Sequence, residues 1–103
     1  MNINNIMKQA QKMQAGMARV QEELKEERVE SSAGGGMVKV VMSGDMQVVS
    51  VAVDPAAVDP EDIELLQDMI AAAVNEAVRM SQELSSQKMA AVTGGMSIPG
   101  MGL

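Results

Sequence analysis

The stretch INNIMKQAQKMQAGMARVQEEL, residues 3 to 24, has apolar residues spaced alternately three and four positions apart. This spacing is the a/d pattern of a coiled coil, and it predicts a helix from about Asn4 to Lys25 with an apolar seam along one side. Gly16 is the one weak helix former in the stretch, and Glu27 takes the next seam position, where the pattern ends. The seam residues are Ile3, Ile6, Ala10, Met13, Met17, Val20 and Leu24.

The length of this helix predicts a second subunit. At about 1.5 Å per residue the helix would be roughly 33 Å long. A compact domain of roughly 100 residues has a radius of gyration of only about 13 Å. One chain is therefore too small to cover the whole seam, and we expect a homodimer.

The middle of the chain predicts a small antiparallel sheet and hence an α+β fold. Residues 28–33 are compatible with a short strand, and three consecutive glycines follow at 34–36. Two valine-rich runs, 37–42 and 47–53, flank the turn sequence 43–46 and predict a hairpin. The second run alternates Val49, Val51 and Val53 with milder residues, so we expect one of its faces to be buried.

A second long helix is predicted after the sheet. Asp59 resembles an N-cap, with Pro60 at the first helical position, so the helix should run from Pro60 to about Val92. A break would fall near Ser85 and Ser86. We therefore expect one dimerising domain, residues 1–92, followed by a flexible Gly/Met/Pro tail, residues 93–103. The seam of this helix is formed by Ile63, Leu66, Ile70, Ala73, Ala77, Met80 and Leu84.

The composition excludes many kinds of chemistry. The chain has no Cys, His, Phe, Tyr or Trp, which removes disulfides, zinc fingers, imidazole bases, thiolate nucleophiles and aromatic platforms for bases. The longest apolar run, Met69–Val74, is too short to span a membrane, and the N-terminus lacks a signal sequence. We expect a cytoplasmic protein without a membrane partner.

Three other features have ordinary explanations. The acids between Asp59 and Glu64 could bind a hard cation, but they complement a helix N-terminus and lack the loop spacing of a calcium site. Gly34–Gly36 precedes a strand rather than the helix that a phosphate loop needs. The twelve Met residues mostly occupy seam or strand positions, which favours apolar packing over soft-metal binding. We expect no enzyme, no cofactor and no small-molecule substrate.

The cations are unevenly distributed in a chain of net charge −6. Lys8, Lys12 and Arg19 are the only charged side chains in the first 20 residues, and on a helix they share a stripe about 40° wide, nearly opposite the seam. A dimer would display this cationic stripe twice, which is sufficient to contact phosphates but not to recognise a base sequence. The charge pattern alone favours an ordinary solvated helix face.

Six segments stand out along the chain: MKQAQKMQ (7–14), AGGGMVKV (33–40), VAVDP (51–55), LQDMIAAAVNEA (66–77), QKM (87–89) and TGGM (93–96). Together, and in this order along nearly the whole chain, they resemble the YbaB/EbfC family of bacterial nucleoid-associated proteins.

This resemblance implies an α-β-β-β-α-α subunit in a tweezer-like homodimer that binds double-stranded DNA with little sequence preference, in nucleoid organisation and gene regulation. It assigns DNA contacts to the helical arms, which here means Lys8, Lys12 and Arg19 and, on the last helix, Arg79 and Lys88. The acidic composition and the few cations of the last helix depart from this pattern. The alternative is a dimeric coiled-coil module that grips a protein partner through its apolar surface.

Overall fold

The computed structural model describes residues 2–93 and confirms an α+β fold with a long helix on either side of a three-stranded sheet. The elements are α1 (Ile3–Glu26), β1 (Arg28–Ala33), β2 (Val38–Ser43), β3 (Val48–Val53), a short 3-10 helix (Pro55–Ala57) and α2 (Ile63–Thr93). The predicted tail lies outside the described residues apart from Thr93, which ends α2.

The sheet is an antiparallel meander in the order β1-β2-β3. Its register places Ser31 opposite Val40, and Val40 opposite Val51. The chain turns from β1 to β2 through Gly34–Gly36, whose φ angles are 63°, 67° and 94°. These angles lie in the left-handed region that glycine adopts without steric cost, so the three glycines account for the tight connection.

The core lies between the sheet and α2, which packs across β1 and β2. Val38, Val40 and Met42 of β2 are fully buried against Ala73 and Ala77 of α2. Small alanine side chains allow the helix to lie close to the strands, and burial of the β2 residues contributes about 1.5–3 kcal/mol for each Val or Met side chain. Two buried serines add polar ties: Ser31 Oγ donates to the Ala73 carbonyl at 2.5 Å, and Ser81 Oγ lies 3.0 Å from the carbonyl oxygens of both Ser43 and Gly44.

The molecule is elongated because α1 and α2 pack antiparallel only near their C-terminal ends and extend from there in opposite directions. Gly16 lies opposite Val92, and Glu23 lies opposite Lys88. Residues 3–15 of α1, which we call the α1 arm, continue beyond the described end of α2. The described chain measures 70 × 26 × 16 Å, and its radius of gyration of 19.5 Å exceeds the value of about 13 Å for a compact domain of this size.

The second helix differs from its predicted bounds. It begins at Ile63 rather than Pro60, because Asp59 accepts a hydrogen bond from the Glu61 amide (2.9 Å) in a separate turn, while Asp62 accepts one from the Leu65 amide (3.3 Å). It also continues unbroken through Ser85 and Ser86, where good helix formers on both sides support it. In residues 2–93 the expected final pair of helices is therefore one helix of 31 residues, preceded only by the 3-10 helix.

The expectation of a buried face on β3 was wrong for the single chain. Five of its six residues are exposed, and Val53 is half-buried. The reason is that α2 covers β1 and β2, so β3 forms an edge of the sheet beyond the reach of the helix.

Gly44 joins the β2–β3 turn to the base of α1, and we expect Gly44→Ala to destabilise the fold. A Cβ atom there would lie 2.8 Å from both Cδ2 and the carbonyl oxygen of Leu24, while the Gly44 amide already donates to that oxygen at 2.9 Å. Overpacking of this kind lowers the free energy of unfolding by about 1–3 kcal/mol. Urea denaturation measures it, with the exposed Gln47→Ala in the same turn as control. Equal stability of the two variants would contradict the tight contact.

Candidate nucleic-acid interface

The cationic stripe lies on an exposed side of α1. The helix begins at Ile3 because the Asn2 side chain accepts a hydrogen bond from the Asn4 amide at 3.0 Å. Its first turn contains no acidic residue, so the positive end of the helix dipole is not offset there by a carboxylate. Lys8, Lys12 and Arg19 are all exposed. This end of the molecule is therefore electropositive although the chain as a whole is acidic.

Two of the three stripe cations are available for a partner. Among residues 2–93, neither Lys8 nor Lys12 forms an ion pair, and both lie on the α1 arm, where α2 is no longer alongside. Arg19 is 73% exposed and its guanidinium lies 3.9 Å from Glu23, a weak contact within one helix. The structure thus brings the three predicted residues onto one solvent-facing surface.

The two predicted cations of α2 have a different environment. Arg79 lies between Glu76 and Glu83, at 2.6 and 2.9 Å, so its immediate surroundings carry more negative than positive charge. The hydrogen bond with Glu76 raises the pKa of Arg79 further above its usual value, and the same bond lowers the pKa of Glu76. Both acids compete with a phosphate for this guanidinium.

Lys88 faces α1 rather than open solvent. Its ammonium lies 2.9 Å from the Glu27 carboxylate and 3.3 Å from that of Glu23. The hydrogen bond to Glu27, followed by that to Glu23, raises the pKa of Lys88. DNA contacts by Arg79 and Lys88 remain a prediction, and the adjacent carboxylates reduce the attraction that either cation offers to phosphate.

The predicted seam is only partly covered within one chain. Val20 and Leu24 are buried, Met13 is half-buried, and Leu66 and Ile70 pack against the core cluster. Ile6 and Met17 remain 47% and 40% exposed. Ile6 on the α1 arm and Met17 beside it therefore keep apolar surface that α2, as described up to Thr93, does not cover.

Two features of the site were missed from the sequence. Gly16, which is weak as a helix former, is buried, and a Cβ atom there would lie 2.9 Å from a methyl group of Val92. A lone glycine within a strong helical pattern could have indicated that another helix packs closely against it. The other feature is the β3 surface, formed by Val48, Val49 and Val51, which are between 45% and 51% exposed at the sheet edge.

The part of the chain between residues 2 and 93 contains no group of three acidic side chains placed to hold a metal ion. Asp59 and Asp62, which the sequence offered as cation ligands, accept backbone hydrogen bonds instead. In the same residues, no helix has the combination of length and apolar character needed to cross a membrane.

Comparison with known proteins agrees with a nucleic-acid interface. The profile of the YbaB/EbfC DNA-binding family matches residues 1–96. A nucleoid-associated protein of Moorella thermoacetica is 59% identical, covering 96% of this chain and 95% of its own, and one of Alkaliphilus metalliredigens is 55% identical, covering 97% and 88%.

The fold also has a solved counterpart. The crystal structure of an uncharacterised Helicobacter pylori protein superposes with a TM-score of 0.75 at 24% identity, over 84% of this chain and 91% of that one. At this identity the likeness concerns the fold alone. The family profile and the close relatives show that this chain belongs to the YbaB/EbfC DNA-binding family, a family of nucleoid-associated DNA-binding proteins and not of enzymes.

Proposed function

We propose that this protein binds double-stranded DNA as a homodimer, with little sequence preference, through the cationic stripe of α1. The observation that carries the proposal is the pair of exposed lysines, Lys8 and Lys12, without ion-pair partners among the described residues, on a helix arm that projects beyond its neighbour. The relatives named nucleoid-associated proteins support a place in the bacterial nucleoid, with roles in its organisation and in gene regulation.

The chemistry of the stripe suits the DNA backbone. Lysine and arginine neutralise phosphates, and these contacts position a protein without identifying bases. From Lys8 to Arg19 the helix rises about 16 Å, which corresponds to roughly five base pairs along a duplex. Arg79 and Lys88 receive a smaller share of the binding, since carboxylates already contact both.

The β3 surface supports the homodimer. The strand is an edge of the sheet, so one row of its backbone N–H and C=O groups has no strand partner among residues 2–93, and its valines are exposed beside that row. Long apolar edges of this kind pair readily with another strand. A second copy of the same strand offers a self-complementary partner, because a two-fold axis places β3 antiparallel to its equivalent. Such a dimer fixes the spacing between two α1 arms.

The overall charge sets the expected strength of binding. With a net charge of −6 per chain, long-range repulsion opposes the local attraction of the stripe. Screening weakens both effects as the ionic strength rises. Affinity should therefore be modest and should depend on contacts close to the phosphates.

The decisive experiment is a fluorescence-anisotropy titration of two duplexes of unrelated sequence, each between 50 and 200 mM NaCl. If two arms neutralise up to about six phosphates, log K should fall with log salt with a slope approaching −5. We expect similar affinities for the two sequences. Absence of binding at 50 mM salt, or an affinity independent of salt, would overturn the proposal.

A protein-interaction module is the second candidate, because Ile3, Ile6 and Met7 are between 47% and 70% exposed on the α1 arm. A solvent-exposed apolar arm could hold a protein as well as lie along DNA. Purification of the native protein separates the two functions. Recovery of one protein in a stoichiometric complex, free of nucleic acid, would favour the module over DNA binding.

A further inference from the structure

Among residues 2–93, Lys88 is the one lysine or arginine whose ion pairs join α2 to the C-terminal part of α1. The other ion pairs of this part of the chain join residues three or four apart in one helix, as in Lys25–Glu22. Lys88, by contrast, reaches from α2 to Glu23 of α1, 65 positions away, at 3.3 Å, and to Glu27, the residue that follows α1, at 2.9 Å. Its side chain is 26% exposed, against 55% for Lys25. This lysine is held between two helices rather than presented to solvent.

The position of this contact matters because it lies in residues 16–26, the segment of α1 that packs on α2 and forms the base of the α1 arm. In the same segment Val20 and Leu24 are buried, Val92 packs on Gly16, and the β2–β3 turn packs on Leu24. From Gly16 to Lys8 the helix extends about 12 Å, so a tilt of roughly 10° between the helices would move Lys8 by about 2 Å. A change in the Lys88 contact that alters the angle between the helices therefore displaces the lysines proposed to bind phosphate.

We propose that Lys88 is a positioning residue, whose ion pairs with Glu23 and Glu27 set the direction of the α1 arm without contact between Lys88 and DNA. This inference rests on the proposed DNA binding. Two carboxylates lie beside the one ammonium, so the cluster offers no net positive charge to a phosphate. The cluster contributes to binding indirectly, because it sets where Lys8 and Lys12 lie on each arm.

Salt dependence distinguishes positioning from direct contact. Lys88→Gln is expected to weaken binding about 3- to 10-fold, since both arms of the dimer lose a partly exposed ion pair, while the slope of log K against log salt stays unchanged. Lys12→Gln is the matched comparison, because it also removes one lysine charge. That variant should reduce the magnitude of the slope by about 2 per dimer, or about 0.9 per phosphate contact. An equal reduction with Lys88→Gln would overturn the inference.

Exchanging the charges of residues 27 and 88 tests whether DNA affinity can be restored. Lys88→Glu alone should weaken binding more than Lys88→Gln, because three carboxylates then repel one another at the base of the arm. Adding Glu27→Lys restores an opposite pair between the helices and should recover most of the affinity. The swap also restores the net charge beside the helices, so the distance between α1 and α2, measured without DNA, separates a positioning role from a simple charge effect.

A distance measurement tests the arm without DNA. The chain has no native cysteine, so Gln11→Cys and Ser86→Cys, both at exposed positions, accept spin labels cleanly. Pulsed electron–electron double resonance measures the distance between the two labels of one chain when labelled protein is diluted with unlabelled protein. This distance should shift or broaden after Lys88→Gln and should return to its native value in the charge-swap variant. An unchanged distance would overturn the positioning role even if DNA binding were confirmed. Conversely, the measurement stays decisive if the protein fails to bind DNA.

Discussion

Replacement of Lys8, Lys12 and Arg19 by glutamate in one variant is expected to abolish binding to duplex DNA. The change removes up to about six phosphate contacts per dimer and puts repulsive charges in their place, so affinity at 50 mM NaCl should fall by at least about 1000-fold. All three side chains are exposed and none belongs to the core, so the circular dichroism spectrum should match that of the native protein. Fluorescence anisotropy measures the affinity.

The control for this variant is a second triple reversal with the same change in net charge. Lys25, Arg28 and Lys39 are also exposed but lie outside the cationic stripe. Reversing them should weaken binding less than about tenfold, through long-range repulsion alone. If the two triple variants lose affinity equally, net charge and not the stripe governs binding. Native affinity in the first variant would rule out the stripe altogether.

Separation of the dimer by a charge on β3 is the second large effect that we expect. Val49 is 50% exposed at the sheet edge, where the register of β2 and β3 shifts, so Val49→Asp changes the β3 surface without disturbing the buried residues. Facing carboxylates in a two-fold pair of strands are destabilising. Light scattering at micromolar concentration should give a mass near 10.9 kDa instead of twice that value. The monomer would hold only half of the phosphate contacts, and its salt slope should halve.

Ile6→Asp is the comparison that locates the interface. Ile6 is 47% exposed, close to the value for Val49, but it lies on the seam of the α1 arm. If the subunits pair through β3, the Ile6 variant remains a dimer. A monomeric Ile6 variant beside a dimeric Val49 variant would place the interface in a coiled coil of the arms, as the heptad pattern first indicated.

The helices and strands were largely predictable because their signals are local. A spacing of three and four residues produces a continuous apolar side in any helix, and valine runs bounded by glycine favour strands. The exact start of α2 was not predictable to the same degree. Asp59 and Asp62 are both suitable caps by residue type, and only the path of the backbone decides that Asp62 is the one used.

The predictions that failed concern burial and side-chain pairing that depend on contacts between residues distant in sequence. Val40 and Val51 are equivalent in sequence terms and lie opposite each other in the sheet, yet Val40 of the central strand is buried under α2 and Val51 of the edge strand is 45% exposed. The pairing of Lys88 with Glu23 and Glu27 joins residues more than 60 positions apart, so it has no signature in spacing. The stripe on α1 was foreseeable because its three cations lie on one helix, where periodicity alone fixes their common direction.

The antiparallel packing of α1 on α2 has a practical consequence for anyone who handles this protein. Asn2, the first described residue, precedes the α1 arm with its exposed lysines, whereas Thr93, the last, follows Val92, which packs on Gly16 at the base of that arm. A polyhistidine tag before Asn2 would lie on the same arm as the lysines, and below a pH of about 6.5, where imidazole is protonated, it would add positive charge there and raise the apparent DNA affinity. The Gly34–Gly36 turn lies near Met69, toward the opposite end of α2. Reporter groups inserted there would leave the binding measurement undisturbed.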